Sequence, residues 1–303
     1  MEGKMVKVRP IRCITALVTP FRGERVDMAG LRKNIRFQLA AGVEGLLACG
    51  STGESPTLSE AEYESVVGAV VAEARSRALV VAGCGTNSTA RSVRQAKVAK
   101  SLGARVLLVV APYYNKPTPE GLYRHFRTIA DSTDAGIIIY NIPPRSVVNI
   151  APATVERLVN DCPNVIGVKE ASGSLDQSTD ILARCAGRIT LFSGDDSLTL
   201  PMMAVGGHGV ISVVSNIVPA DVVRMCDDFA AGCTAGAAVL HRRLYPLIKA
   251  MFIETNPTPV KAAMSMLGMA AGEPRLPLVL PTREHVRAIR QALVDYGLRP
   301  VKR

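Results

Sequence analysis

The sequence contains no tryptophan, and only 4% of its 303 residues are aromatic. Single-strand nucleic-acid binders interleave aromatic platforms with clustered Lys and Arg, and that pattern is missing. Basic residues outnumber acidic ones by 36 to 26, a formal charge of +10, but they are spread along helical faces. The dense pieces are Lys4 to Arg12 and Arg299 to Arg303. The excess reads as a solvated surface with a weak attractive field for small anions, and no nucleic-acid partner is expected. Long apolar runs are also lacking. A bilayer span needs about 18 such residues or more, and the best stretch, Val66 to Gly83, is broken by Glu73, Arg75 and Arg77. The basic N-terminus leads only to the short run Cys13 to Val18, closed by Thr19-Pro20, which is too short for a secretory signal and has no small-residue cleavage site. No C-x-x-C occurs. The seven cysteines lie far apart, and His125, His208, His241 and His285 are scattered, so no zinc-ligand spacing exists. These absences predict a cytoplasmic protein with reduced, packing cysteines, no metal and no membrane association.

Apolar types make up 48% of the chain and charged types 20%, enough to fill a large core. A simple unit repeats: a short apolar or β-branched run ends in Gly, Pro or polar residues, and a stretch of 3.6-residue period follows. Eight runs read as strands: Cys13–Phe21, Gly45–Gly50, Ala78–Gly85, Arg105–Pro112, Gly136–Pro143, Val165–Ala171, Ile189–Asp195 and Gly209–Val213. Asp27–Ala41, Ser59–Arg77, Ser88–Leu102, Thr118–Ser132, Ala151–Asn160 and Ser174–Cys185 read as helices between them. Several have capping signals, such as Ser59 before Glu60 and Glu62, and Thr118 before Glu120. Near-continuous apolar runs suit strands buried on both faces. Eight of them, each followed by a helix, predict an α/β fold of the closed (β/α)8 barrel type. The competing open doubly wound sheet usually carries a Gly-rich nucleotide turn after its first strand, and this first strand runs into Val18-Thr19-Pro20-Phe21 instead. The pattern closes near residue 213, yet Pro219–Gly232, Ala235–Glu254, Pro259–Gly268 and Thr282–Tyr296 also look helical. The expected organisation is a barrel over residues 1–232 and a C-terminal helical appendage, 233–303, docked on it.

Barrel enzymes work at the C-terminal ends of their strands, and the unusual residues fall there. Lys169, within Ile166-Gly167-Val168-Lys169-Glu170, is the sharpest signal. Burial disfavours the charged form of an amine, lowers its pKa and makes it a nucleophile toward carbonyls. Pairing with Glu170 is the bland alternative, although neighbours on a strand point to opposite faces. Gly50-Ser51-Thr52-Gly53-Glu54-Ser55 offers two hydroxyls and Gly-flanked N–H groups that suit a carboxylate or phosphate, but equally an ordinary strand-to-helix turn. Tyr140 suits a proton relay or a satisfied core position. Arg145, after Pro143-Pro144, suits a carboxylate clamp or a solvated loop. Asp195-Asp196 reads as a cap for a helix starting near Ser197 rather than as a metal site. There is no G-x-S-x-G and no paired-carboxylate hydrolytic site.

In their order along the chain, Gly50–Ser55, Tyr113–Pro117, Tyr140–Arg145, Gly167–Ala171 and Gly207–Val213 match one known pattern. The sequence resembles the dihydrodipicolinate synthase family, within the pyruvate-dependent Schiff-base aldolases and lyases. The match runs from Thr15 to Lys261. The resemblance implies that pyruvate binds with its carboxylate on Ser51 and Thr52, and that Lys169 forms an imine with its ketone. The derived enamine would attack aspartate 4-semialdehyde, and cyclisation would release 4-hydroxy-tetrahydrodipicolinate, an early product of diaminopimelate and lysine biosynthesis. It also implies a proton relay of Tyr140, Ser51 and a Tyr114 donated by the neighbouring subunit, with Arg145 on the second substrate. Ile211 and the backbone around Gly194 would wall the pocket. No cofactor or metal is implied, and the usual assembly is a homotetramer built as a dimer of dimers.

Two departures stand out. The family's first motif commonly carries two threonines, whereas this chain has Ser51 then Thr52; serine keeps the hydroxyl but loses the methyl that restrains its rotamer. Ser-Thr also occurs in the sialic-acid lyases, but Arg145 and Tyr113–Pro117 favour the synthase branch. Lysine-inhibited relatives hold lysine near positions matching Ser55, Tyr63, Asn87 and Arg91. An arginine there would repel the effector's ammonium, so weak or absent lysine inhibition is expected. The alternatives are a lyase acting on a 2-keto-3-deoxy sugar acid or N-acetylneuraminate, and a non-catalytic barrel that binds a keto acid.

Overall fold

The computed structural model describes residues 11–301 apart from residue 186. Of the two basic segments, residues 4–10 and 302–303 lie outside the described residues. Eight strands close a parallel barrel: β1 (Cys13–Ala16), β2 (Gly45–Ala48), β3 (Leu79–Gly83), β4 (Val106–Val110), β5 (Gly136–Asn141), β6 (Val165–Glu170), β7 (Thr190–Ser193) and β8 (Gly209–Ser212). Each pairs with its sequence neighbours, and β8 returns to β1 through Cys13↔Val210 and Ile14↔Ile211. All eight predicted strands are present, with shorter ends.

The strands read as continuous apolar runs because both faces are covered. Inward residues such as Ile14, Leu47, Val81, Leu108, Ile138, Tyr140, Phe192 and Ile211 form one cluster inside the barrel. Their outward neighbours, among them Leu46, Leu107, Ile137, Ile139 and Val168, join a second cluster beneath the helices. Those helices are α1 (Met28–Ala40), α2 (Glu60–Ala74), α3 (Thr89–Ser101), α4 (Pro119–Ala130), α5 (Pro152–Asp161), α6 (Leu175–Cys185), α7 (Thr199–Ala204) and α8 (Pro219–Ala230). The cap signals hold: Ser59 and Glu62 form a reciprocal capping box, Thr118 accepts from the Gly121 N–H, and Asp27 from that of Gly30.

Helices α9 (Thr234–Met251), α10 (Thr258–Met266) and α11 (Arg283–Tyr296) follow the barrel. Helix α9 packs on α8 and α11.

Two local expectations are corrected. Strand β1 ends at Ala16 rather than Phe21, since the Val18 N–H donates to the Asn216 side chain and Phe21 enters a small hairpin with Val26; Pro20 has no N–H to extend a ladder. Helix α2 stops at Ala74 because Arg75 sits at φ +49°. The helix expected near Ser197 is present: a short turn over Asp196–Leu198 leads into α7. Among the described residues no helix is long and apolar enough to cross a membrane. Six of the cysteines are buried, Cys233 is exposed, and all seven are free.

Candidate active site

The C-terminal rim of the barrel gathers the singled-out residues. Lys169 is the fifth residue of β6 and is only 5% exposed. The register places it between Tyr140 on β5 and Phe192 on β7, both of which face the barrel interior. Its Nζ lies 4.3 Å from the centroid of the Tyr140 ring. Burial lowers its pKa to about 7, against a pull upward from Asp196 and a further push down from Arg145. The amine is therefore uncharged in a large share of molecules at neutral pH. Glu170 faces away, as strand alternation requires: its carboxylate accepts from Asn141 Nδ2, Gln177 Nε2 and the Ser172 N–H. It neutralises nothing at Lys169.

Tyr140 is itself buried, and burial pushes its phenol well above the ordinary value, so it stays protonated and can donate. Gly194 follows β7, and its N–H donates to the Glu170 carbonyl at 2.7 Å. A Cβ on Gly194 would stand 2.6 Å from the Ala171 Cβ and 3.1 Å from the Lys169 Cε. Only glycine leaves that lysine its path. Ile211, 1% exposed, belongs to the barrel-interior cluster that also holds Tyr140 and Phe192.

The turn after β2 carries a half-buried Ser51 and a buried Thr52. The Thr52 Oγ1 accepts from Asn256 Nδ2 at 3.0 Å, which leaves the hydroxyl proton free to donate elsewhere. Arg145, on a single helical turn (Pro143–Ser146), donates to the carbonyl of the same Asn256 at 2.8 Å. Thr52 and Arg145 thus share one support. Tyr114 is not packed into its own barrel. It is 87% exposed and held at φ +73°, a conformation that costs a tyrosine energy and tends to mark functional loops. Among the described residues, five of the six non-glycine residues at positive φ (Cys49, Glu54, Tyr114, Lys116 and Val147) lie in the loops after β2, β4 and β5.

Sequence reasoning missed several contributors. The two aspartates after β7 divide their work: Asp195 caps the turn through the Ser197 N–H, as expected, whereas Asp196 is buried and accepts from the Val213 and Val214 N–H groups at the end of β8. Asn256 comes from the loop before α10, and Lys261, on α10 itself, forms a buried pair with Glu54 of the turn after β2. The one signal for Lys261 was the same as for Lys169, a lysine set among apolar residues. Ser55, Tyr63 and Arg91 line an open cavity of about 130 Å³ together with Glu60, Glu64 and Arg94; Asn87 is not part of its lining. Among the described residues no group of three or more His, Cys, Asp or Glu is assembled as metal ligands.

The barrel thus carries a buried amine at its mouth, beside the ring of Tyr140. Residues 9–295 match the model of the dihydrodipicolinate synthetase family. The chain belongs to that family. It is 49% identical over 284 residues to the 4-hydroxy-tetrahydrodipicolinate synthase of Endomicrobium trichonymphae, covering 94% of this chain and 97% of that one. The crystal structure of dihydrodipicolinate synthase from Aquifex aeolicus superposes with a TM-score of 0.94 at 44% identity, covering 96% and 99% of the two chains. The chloride-inhibited family member from Acinetobacter baumannii, solved with pyruvate, has a TM-score of 0.93 at 35% identity over 96% of this chain and 100% of that one.

Proposed function

We propose that the chain condenses pyruvate with aspartate 4-semialdehyde to give 4-hydroxy-tetrahydrodipicolinate, through an imine on Lys169. The observation that carries this reading is the Lys169 amine, buried inside the barrel mouth and lowered to a pKa of about 7, 4.3 Å from the Tyr140 ring. Its lone pair attacks the pyruvate ketone, and loss of water leaves the imine. The hydroxyls of Ser51 and Thr52 receive the carboxylate, with Asn256 holding the Thr52 oxygen so that its proton points to the substrate. Loss of a methyl proton gives the enamine, whose carbon adds to the aldehyde. Tyr140, with Ser51 and a neighbouring subunit's Tyr114, passes the protons. The amine of the second substrate then displaces Lys169 by cyclisation, which restores the free lysine, so one water leaves in the whole cycle. Arg145 grips the second carboxylate, while Ile211 and the Gly194 backbone wall the pocket. The reaction asks for no metal or organic cofactor.

The same reading has the protein acting in the cytoplasm as a dimer of dimers, with Tyr114 crossing between subunits. Its high exposure and left-handed backbone support that crossing. Weak or absent inhibition by lysine also belongs to it, on the strength of Arg91 in the cavity beside Tyr63. The test is reduction with borohydride in the presence of pyruvate. A pyruvyl adduct on Lys169 with loss of activity is expected; no adduct, or one on another lysine, overturns the mechanism. Turnover of aspartate semialdehyde against N-acetylneuraminate and keto-deoxy sugar acids then decides the second substrate.

A further inference from the structure

Lys261, on α10, is a second fully buried lysine, one that the Schiff-base chemistry leaves unused. It is 0% exposed, and its ammonium has every proton engaged: Glu54 Oε1 at 2.6 Å, the Glu273 carbonyl at 3.1 Å and the Thr19 carbonyl at 3.3 Å. The Phe21 ring centroid lies 4.2 Å from its Nζ. The other oxygen of Glu54 accepts from the Arg275 N–H at 2.8 Å. Glu54 is no ordinary partner. It sits at φ +54°, where a glutamate is strained, and its N–H closes the turn onto the Ser51 carbonyl at 3.1 Å. The Thr19 hydroxyl steadies the same turn by donating to the Gly53 carbonyl at 2.8 Å. A buried ion pair is seldom better for stability than apolar side chains of equal volume. What an apolar pair cannot do is hold a carboxylate, and through it a strained backbone, in one fixed orientation.

We propose that Lys261 is a positioning residue, which through Glu54 fixes the Gly50–Ser55 turn so that Ser51 and Thr52 meet the carboxylate of the keto acid. This rests on the Schiff-base reading of Lys169. Lys261 touches neither the barrel-interior cluster nor any reacting atom, so its effect falls on pyruvate capture alone. The test uses full-length Lys261→Met and the double variant Lys261→Met with Glu54→Gln. The readouts are the pyruvate concentration that half-saturates borohydride trapping on Lys169, and the separate KM values for the two substrates. Displacing a binding hydroxyl by a fraction of an ångström should raise half-saturating pyruvate about tenfold or more in both variants, with the KM of the second substrate changed by less than about threefold. The double variant should melt nearer to the wild type, since it leaves no buried charge unpaired, yet keep the pyruvate defect. A purely structural role would lower the melting temperature or the active fraction without moving the pyruvate dependence. Wild-type half-saturation in either folded variant overturns the proposal. So does failure of both to fold, because the pair would then serve the fold alone. Absence of a Lys169 adduct in the wild type would instead overturn the Schiff-base reading itself.

Discussion

Replacing Lys169 by methionine should abolish turnover and at the same time make the protein more stable. The side chain keeps its length and apolar character, but the buried amine is gone. The unfolded chain holds this lysine at the usual 10.5, and burial brings it to about 7. At about 1.4 kcal/mol for each tenfold change in the protonation equilibrium, that gap corresponds to about 5 kcal/mol against the native state wherever both states would be charged. The sign follows from proton counting. Between pH 7 and 10.5 the unfolded chain binds more protons at this site than the native one, so the penalty is complete below pH 7 and vanishes above 10.5. The stability advantage of Lys169→Met should therefore be about 5 kcal/mol near pH 6 and shrink to about 2 near pH 9. With an unfolding entropy of about 2.1 cal/mol/K per residue, the advantage near pH 6 raises Tm by roughly 5 to 8 °C. The assay is calorimetric melting of both proteins, free of pyruvate and at equal concentration, across that pH range. A variant no more stable than the parent, or an advantage that does not narrow with rising pH, would refute the account of a desolvated, partly neutral amine.

Other outcomes follow from the same geometry. The rate of borohydride trapping with pyruvate should fall about tenfold per pH unit below an acid limb near 7, and Asp196→Asn should move that limb to lower pH; a shift upward would contradict the role of Asp196 as the carboxylate favouring the ammonium. Gly194→Ala puts a methyl group 2.6 Å from the Ala171 Cβ and 3.1 Å from the Lys169 Cε, so kcat should fall about a hundredfold through displacement of the nucleophile, as measured by steady-state turnover; near-normal kcat would mean the lysine has room to spare. Arg145→Ala should raise the KM of aspartate semialdehyde by about tenfold or more while moving pyruvate half-saturation by less than about threefold, and equal effects on both would remove it from the second carboxylate.

The barrel was legible because its signal is local. Strands covered on both faces, such as Ile137–Ile138–Ile139, must be apolar throughout, and capping residues sit where their helices begin. Lys169 was legible for the same reason, as a charge inside such a run. What escaped sequence reading depends on distance along the chain or on backbone geometry. Nothing near Thr52 announces Asn256, and nothing near Glu54 announces Lys261, since each pair meets only after the barrel has closed. The separate fates of Asp195 and Asp196 depend on one turn of the chain: one side chain caps its own helix, while the other reaches across to β8. The short helix after β7 was legible only through its cap, since six residues are too few for a 3.6-residue period to declare itself.

The span between Glu54 and Lys261 also bears on how the molecule is made. The two residues are 207 apart in the chain, so at a ribosomal pace of about 5–20 residues per second the turn waits roughly 10 to 40 s for its anchor. A nascent chain can lay down most of its staves first, but the socket for the keto acid is finished last. A message cut short before α10 would leave Glu54 without its lysine and the core beneath the helices without Val260, Ala263 and Met264.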